Sequence, residues 1–444
     1  MTSLIRAFAA LLLAFTFSPG EARAETWVVV HAGWLLDRPG EAPRREASVI
    51  IRDGSIERVE SGYVQPEQLA LADGDSVTVH DLRDHHVLPG LIDGHVHLTL
   101  EFAPGYRQQW VDYSDADMAM VAAGHARSTL MAGFTAVRDL GAAEGDAIFA
   151  VRDGIERGDV IGPRVFAAGS TISITGGHGD FSLGFNETVA ATMRSSGICD
   201  GADDCRQAVR DQVRRGADQI KLTATAGVLS ESAAGLEQQF FDDELEAIVA
   251  TAHSMGRRVT AHAHGAEGIK AALRAGVDAI EHGTFLDDEG IELFRESGAF
   301  LAPTLMPNFA LQPVIDSPDS WMSPIQRAKA RQALTLAQQF ARRAHQGGVR
   351  IAFATDAGVF PHGDNAREFG LLVDWVGMTP MEAIVSATVD GAENLGQADV
   401  LGSLEPGKHA DLIAVASDPL ADVRSLENVV FVMKGGQVYK TPPP

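Results

Sequence analysis

Short apolar runs alternate with segments of helical periodicity through the middle of the chain. Strict alternation of strand and helix is typical of parallel βα units, and eight units predict an α/β fold with a closed, TIM-like (β/α)₈ barrel. The predicted strands are 91–97, 135–139, 164–168, 219–223, 258–262, 279–282, 300–304 and 351–356. The predicted amphipathic helices between them include 118–132, 205–215, 243–255, 266–275, 288–297 and 325–346.

The two ends of the chain share a different pattern. Residues 26–31 and 47–60, like 411–416 and 429–433, are short apolar pieces separated by turn residues. Neither end is large enough to be stable alone, so we expect the two to pair. The predicted domains are a composite β-sandwich built from 25–89 and 400–444 and the barrel over 90–399.

The first residues have the pattern of an export signal. Arg6 precedes an apolar run over 7–17, and Ala22-Arg23-Ala24 presents small residues where a signal peptidase cuts. A buried N-terminal helix or an uncleaved anchor is the alternative, but the run is short for a bilayer span. We therefore predict a signal peptide over 1–24, a periplasmic or secreted protein, and no membrane contact after cleavage.

Net charge and cysteine content restrict the possible binding partners and predict a disulfide. The chain has 36 Lys and Arg against 60 Asp and Glu, a formal net charge of -24, which argues against nucleic acid or an anionic membrane as partner. The 2 cysteines, Cys199 and Cys205, flank a short loop. In an oxidising compartment this spacing predicts a disulfide, with two free thiols as the alternative.

Potential metal ligands follow the carboxyl ends of the predicted strands, where barrels of this kind build their active sites. His95 and His97 end the first strand and, being two residues apart, point to the same face. His262 and His282 end the fifth and sixth strands, and Asp356 ends the eighth. This order predicts a shared metal site.

Lys221 lies inside an apolar predicted strand. A buried lysine costs several kcal/mol unless it is paired or neutralised. It could reach solvent, pair with a carboxylate, act as a nucleophile or base, or carry a carboxyl group and bind metal through oxygen. The residues alone do not decide among these.

Taken together, these features resemble the metal-dependent amidohydrolase superfamily, in the binuclear subtype that uses a carboxylated lysine. Within it, the sequence is most similar to the exported prolidase-like branch of Xaa-Pro and Xaa-Arg dipeptidases, which includes amidases acting on ochratoxin A. The likeness covers nearly the whole mature chain. Three segments carry it: 87–97 (VLPGLIDGHVH), 174–179 (ITGGHG) and 402–411 (GSLEPGKHAD).

The resemblance implies two divalent metal ions, with zinc expected. His95, His97 and Asp356 would hold the more buried ion, and His262 and His282 the more exposed one. Lys221, as N6-carboxylysine, would bridge them.

It also implies catalytic roles. Two cations lower the pKa of a water and polarise the scissile carbonyl, and Asp356 can move the proton to the leaving amine. His264 is a second catalytic candidate, in contact with the substrate or the oxyanion. His178 and Arg138 are candidate substrate-binding residues, although each has a plain structural alternative: a loop contact for His178 and a carboxylate pair for Arg138.

The expected function is hydrolysis of an amide bond, with release of the C-terminal amino acid of a dipeptide or N-acyl amino acid. A binuclear lactonase or phosphotriesterase would use the same ligands, while an imidazolonepropionase-like enzyme would use one metal and lack Lys221. The non-enzyme alternative is a binding protein on a barrel scaffold. The expected partner is a small amide or dipeptide, and a homo-oligomer is compatible with the sequence.

Overall fold

The computed structural model describes residues 24–141, 145–193, 195–232, 235–336 and 338–443. The predicted signal peptide up to residue 23 lies outside this range. Within it, no helix is both long enough and apolar enough to cross a bilayer.

Strands and helices alternate through the middle of the chain, and strands predominate at its ends. The strands are β1 Thr26–Leu35, β2 Arg44–Arg52, β3 Ser55–Ser61, β4 Ser76–Pro89, β5 Leu91–Val96, β6 Phe134–Asp139, β7 Arg164–Ala167, β8 Ile220–Thr223, β9 Val259–Ala263, β10 Ala279–His282, β11 Phe300–Ala302, β12 Leu412–Val415, β13 Val429–Lys434 and β14 Gln437–Lys440. The α-helices are α1 Tyr106–Asp112, α2 Asp115–Met131, α3 Ala147–Arg157, α4 Glu187–Ala190, α5 Ala202–Arg215, α6 Asp242–Ser254, α7 Ala266–Ala275, α8 Asp288–Ser297, α9 Met306–Ile315, α10 Pro324–Leu334, α11 Phe340–Gln346, α12 Arg367–Leu371, α13 Pro380–Ser386 and α14 Val389–Asn394. Short helical turns of other types span Pro66–Gln68, Leu372–Val376 and Val423–Asn428.

The two ends of the chain form one mixed sheet. Its strand order is β14-β13-β12-β4-β1-β2-β3, and β12 pairs antiparallel with β4. The described parts of the two chain ends thus share a single seven-stranded sheet, where we predicted the two sheets of a sandwich. The pairing of β1 with β4 shifts register between Ala32 and Trp34, and such a bulge bends a sheet, so one curved sheet can enclose its own apolar core.

Two parallel sheets occupy the middle of the chain. One has the order β5-β6-β7 and the other β11-β10-β9-β8. Alternation of these strands with helices gives an α/β fold, in agreement with the periodicity of the sequence.

The predicted eighth strand is not a regular strand. Single parallel bridges join Ile351 to Leu301 of β11 and Ala357 to Val96 of β5, so this segment lies between the two sheets. Phe353 donates its N–H to Ser386 rather than to a neighbouring strand, and Asp356 has a positive φ of 61°. Both features interrupt the ladder that a regular strand requires.

A disulfide and a glycine cap define the two ends of helix α5, which precedes β8. Cys199 and Cys205 are joined at the start of α5, as predicted, and both are buried. Helix α5 ends at Arg215 and is capped by Gly216, whose φ of 107° lies in the left-handed region that glycine adopts without strain. The chain then re-enters the apolar core at β8 and brings Lys221 into it.

Candidate metal centre

A cavity opens at the carboxyl ends of the parallel strands. It encloses roughly 1230 Å³ of empty space, part of it open to solvent. His95 and His97 of the β5 end, Lys221 of β8, and Asp356 all line it. The other histidines on its wall are His178, His262, His264 and His282. The described part of the chain therefore brings every predicted metal ligand to one cavity.

His95, His97 and Asp356 converge on one point. The Nε2 atoms of the two histidines lie 3.2 Å apart, and Oδ1 of Asp356 lies 3.3 Å from that of His95 and 3.2 Å from that of His97. Ligand atoms that bind one tetrahedral zinc ion at about 2.0–2.1 Å stand about 3.3 Å apart. The spacing therefore fits a metal ion.

Hydrogen bonds on the far side of each ring fix the tautomers. Nδ1 of His95 lies 2.9 Å from the Glu281 carboxylate, and Nδ1 of His97 lies 2.6 Å from the carbonyl oxygen of Gly141. Both partners only accept, so each Nδ1 carries the proton and each Nε2 presents a lone pair. The Nε2 lone pairs of the neutral rings and Oδ1 of Asp356 face one another, an arrangement that a bound cation would stabilise.

A second histidine cluster lies beside the first. One ring nitrogen of each of His262, His264 and His282 lies within 4.8 Å of the others. Nδ1 of His282 contacts the hydroxyl of Thr304 at 2.7 Å, and that hydroxyl donates to the carbonyl of Pro303, so Nε2 of His282 is also a lone pair. Nε2 of His262 is buried without a hydrogen-bond partner among the described residues. This cluster, too, can hold a metal ion.

Lys221 is buried on the wall of the same cavity. It is 4% exposed. Burial lowers its pKa to about 8, although the charges of Glu281 and Asp356 act in the opposite direction. Part of the amine is therefore neutral near physiological pH.

Burial keeps most of these imidazoles neutral. It is the main cause that lowers the pKa of His95 to about 4, and it holds the pKa values of His262 and His282 well below the usual range. For His97 the Asp356 carboxylate more than offsets burial and raises the pKa. For Asp356, burial acts to raise the pKa, but the two histidines and Lys221 lower it overall. A neutral imidazole and an ionised carboxylate are the forms that bind metal.

The backbone is strained where side chains enter the cavity. His282, Thr304 and Asp356 have positive φ values of 72°, 45° and 61°. Such conformations are uncommon outside glycine and cluster at functional sites. For His282, the last residue of β10, this conformation departs from the extended backbone of the strand.

His264 and His178 lie on the cavity wall. Nδ1 of His264 contacts the Thr284 hydroxyl at 2.8 Å, and burial lowers the pKa of His264 to about 3. The His178 ring lies 4.2 Å from that of His262, and its Nδ1 has no partner among the described residues. A Cβ at position 227 would lie 2.2 Å from the His178 ring, so Gly227 makes this position accessible.

Arg138 does not line the cavity, contrary to its candidacy as a substrate-binding residue. It is 1% exposed and donates to the carbonyl of Gly94 and to Glu281, both at 2.6 Å. The carboxylate pair that we gave as the alternative is what the structure contains. A guanidinium held this way is not available to a substrate.

Sequence reasoning missed several residues of the site. Glu281 orients His95, Thr304 orients His282, and Lys329 donates to the backbone of the cavity-lining loop at Gly227 and Ser230. Glu281 directly precedes a predicted ligand, which was the one signal available. An aromatic group of Phe102, Tyr106, Trp110 and Phe181 also lines the cavity, with adjacent ring centroids 4.6–5.2 Å apart.

Comparison with known proteins places the chain in a family. Its sequence matches the profile of the Amidohydrolase family over residues 86–439. Ochratoxinase of Aspergillus niger is 32% identical over 436 residues, which covers 93% of this chain and 87% of that protein. A crystal structure of a Xaa-Pro dipeptidase with bound methionine in the active site is 39% identical, with a TM-score of 0.86, and the match covers 93% of this chain and 100% of that one. The structure of a prolidase complexed with N-methylphosphonate-L-proline is 29% identical, with a TM-score of 0.82, over 94% of this chain and 100% of that one. The chain therefore belongs to the amidohydrolase family and is a hydrolase that acts on amide bonds.

Proposed function

We propose that this chain is an exported, binuclear metal-dependent amidohydrolase that releases the C-terminal amino acid of a dipeptide or an N-acyl amino acid. The convergence of His95, His97 and Asp356 carries the proposal. Their three ligand atoms lie 3.2–3.3 Å apart. The Nδ1 proton of each imidazole is donated to a partner on the opposite side of its ring. Without a metal ion, only a proton on Nε2 of His97 could relieve the contact among these three atoms, and the raised pKa of His97 shows that the point attracts positive charge.

The second ion would be held by His262 and His282. Lys221, as N6-carboxylysine, would supply an oxygen to each ion, and its buried amine with a lowered pKa supports that modification. Imidazole and carboxylate donors make zinc the expected metal. Bound there, the two ions would supply Lewis acidity toward a carbonyl and lower the pKa of a water.

The chain's own residues then handle the proton and the substrate. Asp356 faces the imidazoles through Oδ1, and we assign to its carboxylate the transfer of a proton from the attacking water to the leaving amine. His264, neutral and fixed by Thr284, is positioned to contact the oxyanion. His178 would contact the substrate on the same wall.

Arg107 takes the role for which we had considered Arg138. It and Lys221 are the arginine and lysine that line the described cavity wall. Nη2 of Arg107 donates to the Leu183 carbonyl at 2.6 Å, and the guanidinium lies 4.4 Å from the Phe185 ring centroid. Nη1 of Arg107 lies 4.0 Å from Oε1 of Glu231, so a substrate carboxylate would bind the guanidinium beside this long contact or displace it. The structures of a prolidase and a Xaa-Pro dipeptidase among the relatives support a substrate of this class.

We further propose the architecture that the family implies. Bridges at Ile351 and Ala357 support closure of the two parallel sheets into a (β/α)₈ barrel over 90–399. The β domain would comprise 25–89 and 400–444. The exported protein would begin near Glu25, which intact-mass analysis of periplasmic material tests: a mass that includes residues 1–24 would contradict export.

A substrate panel tests the proposed function. The metal-reconstituted mature protein is assayed on dipeptides and N-acyl amino acids, and in parallel on lactones and phosphotriesters, which a related binuclear hydrolase would prefer. We expect release of the C-terminal amino acid, loss of that activity in His97→Ala, and full activity in His253→Ala, an exposed histidine on α6. Turnover of lactones or phosphotriesters without amide hydrolysis would overturn the proposal.

A further inference from the structure

A separate group of metal-ligating side chains lies outside the candidate metal centre. It consists of Glu101, His125 and His362, and one ligand atom of each lies within 4.8 Å of the others. Glu101 follows β5, His125 belongs to α2, and His362 follows the segment that ends at Ala357. We call these three residues the 101/125/362 cluster.

The tautomer of His362 is fixed by two backbone carbonyls. Its Nε2 lies 3.2 Å from the carbonyl oxygens of His97 and of Leu100, so Nε2 carries the proton. Nδ1 is then a lone pair, and it is buried without a hydrogen-bond partner among the described residues. A buried polar atom of this kind is costly unless something binds it.

His125 has the complementary arrangement. Its Nδ1 lies 2.8 Å from the carbonyl oxygen of Leu98, so its Nε2 is a lone pair when the ring is neutral. That Nε2 lies 3.7 Å from Oε2 of Glu101. A proton on Nε2 would satisfy Glu101 but leave Nδ1 of His362 unpaired, whereas a divalent cation would satisfy all three groups.

We propose that the 101/125/362 cluster binds one divalent cation, with zinc preferred because the donors are two imidazole nitrogens and a carboxylate oxygen. The side chains of Glu101 and His125 are 33% and 20% exposed, which gives an ion a path from solvent. The two rings stack at 4.3 Å with 19° between their planes, so His125 has to tilt to direct both lone pairs at one ion. His362 is held by its two carbonyls and stays in place.

The site would brace the loop that follows β5. The three carbonyls that hold the two rings belong to His97, Leu98 and Leu100, and Glu101 accepts the backbone N–H of His362 at 3.3 Å. An ion that ties these rings together restrains the loop that begins at His97. It acts on the candidate metal centre through His97 without touching the substrate.

Zinc titration tests the site. Metal-free mature protein is titrated with zinc by calorimetry, and bound zinc is counted after desalting, for the wild type, Glu101→Gln, His125→Asn and the control His253→Asn. We expect both cluster variants to bind one equivalent fewer than the wild type, and the zinc-dependent rise in Tm to shrink. The affinity of that equivalent should fall by more than the roughly 10–100-fold found when a hydrogen-bond partner of a ligand is removed. His253→Asn should match the wild type.

Testing the cluster substitution in a Lys221→Ala variant separates this inference from the proposed function. Lys221→Ala should lose metal from the candidate metal centre, and adding His125→Asn to it should still remove one zinc equivalent. Loss of that equivalent supports the 101/125/362 cluster even if Lys221→Ala shows that the proposed centre is wrong. Glu101→Gln changes one atom of a partly exposed side chain, so it retains the fold. Wild-type stoichiometry and an unchanged zinc-dependent Tm in both cluster variants would overturn the proposal.

Discussion

Oε2 of Glu281 lies 2.9 Å from Nδ1 of His95, and this contact ties the candidate metal centre to a buried charge pair. The other oxygen of Glu281 lies 2.6 Å from Nη2 of Arg138, and both side chains are at most 1% exposed. Burial acts to raise the pKa of Glu281, but Arg138 and His95 together lower it to about 2. Glu281 is therefore an anion that fixes the tautomer of His95 and neutralises Arg138.

Replacing Glu281 by Gln should weaken metal binding and stability together. The amide keeps the size but not the charge, so His95 loses its anionic partner and Arg138 is left buried without one. We expect metal affinity to fall about 10–100-fold. Breaking one partner of a buried pair typically costs about 3–5 kcal/mol, and the free energy of unfolding should fall toward that range. Competitive zinc titration and urea unfolding of the metal-free protein measure the two effects. Glu292→Gln, at an exposed pair on α8, is the control, and unchanged zinc affinity in Glu281→Gln would contradict the role.

The position of Glu281 beside the predicted ligand His282 did not single it out, because strand alternation places adjacent residues on opposite faces. Glu281 and His282 nevertheless both serve the same site, since the positive φ of His282 turns its side chain back toward the cavity. Backbone strain of this kind has no local sequence signature in a residue other than glycine. By contrast, His95 and His97 could be paired from their spacing alone, because the two-residue period of a strand is local.

The ion pair of Arg138 was likewise not predictable from the sequence. Its position at the end of β6 was predictable, but its partner Glu281 is 143 residues away in the chain, and no periodicity connects the two. The alternation of strands and helices was predictable because each element is set by nearby residues. The irregular segment after Ile351 was not, because Phe353 donates its N–H to Ser386, more than 30 residues away, and the bonds of the segment to β11 and β5 are isolated bridges.

Lys329→Met should weaken substrate binding more than it slows turnover. Nζ of Lys329 donates to the carbonyl oxygens of Gly227, Ser230 and Ser232 at 2.7, 2.8 and 3.2 Å, and thereby holds a loop that lines the cavity. Methionine fills the space without these bonds. Charged hydrogen bonds contribute about 1.5–3 kcal/mol, so we expect KM to rise roughly tenfold or more with a smaller change in kcat. Steady-state kinetics measure KM and kcat separately. A fall in kcat with an unchanged KM would argue against a positioning role.

The same lysine should give KM a pH dependence. Burial lowers the pKa of Lys329 from 10.5 to about 8, against a smaller opposing effect of Glu231. Above that pH the amine has one proton fewer to donate, so KM of the wild type should rise between about pH 8 and 9.5 and stay flat in Lys329→Met. The unfolded chain keeps this proton to higher pH, so the contribution of this group to the free energy of unfolding rises with pH over this window. A rise in KM without a fall in Tm is therefore expected, and a flat wild-type profile would contradict it.

Lys221→Ala should lose metal and activity together, since the proposed bridge between the two ions is removed. Short carboxylic acids should partly restore both, because a carboxylate can occupy the place of the carboxylated amine. Lys408→Ala, in the loop before β12, is the control and should behave as the wild type. Metal content and turnover are measured with and without added acid. Full occupancy and normal turnover in Lys221→Ala would exclude the bridging role.

Asp356→Asn should separate metal binding from proton transfer. Asparagine keeps the size and one acceptor oxygen but cannot take up a proton, and general acid–base catalysis is worth roughly 10²–10⁴-fold. We therefore expect turnover of amides to fall at least about 100-fold, and turnover of activated esters to fall less, because their leaving groups depart without a proton. The two substrates have to be compared at equal metal content, since loss of an ion would lower both rates alike. Equal losses at full occupancy would make Asp356 a metal ligand only. His264, which lies in the adjacent histidine cluster with its Nδ1 held by Thr284, would then be the next residue to examine as the proton carrier.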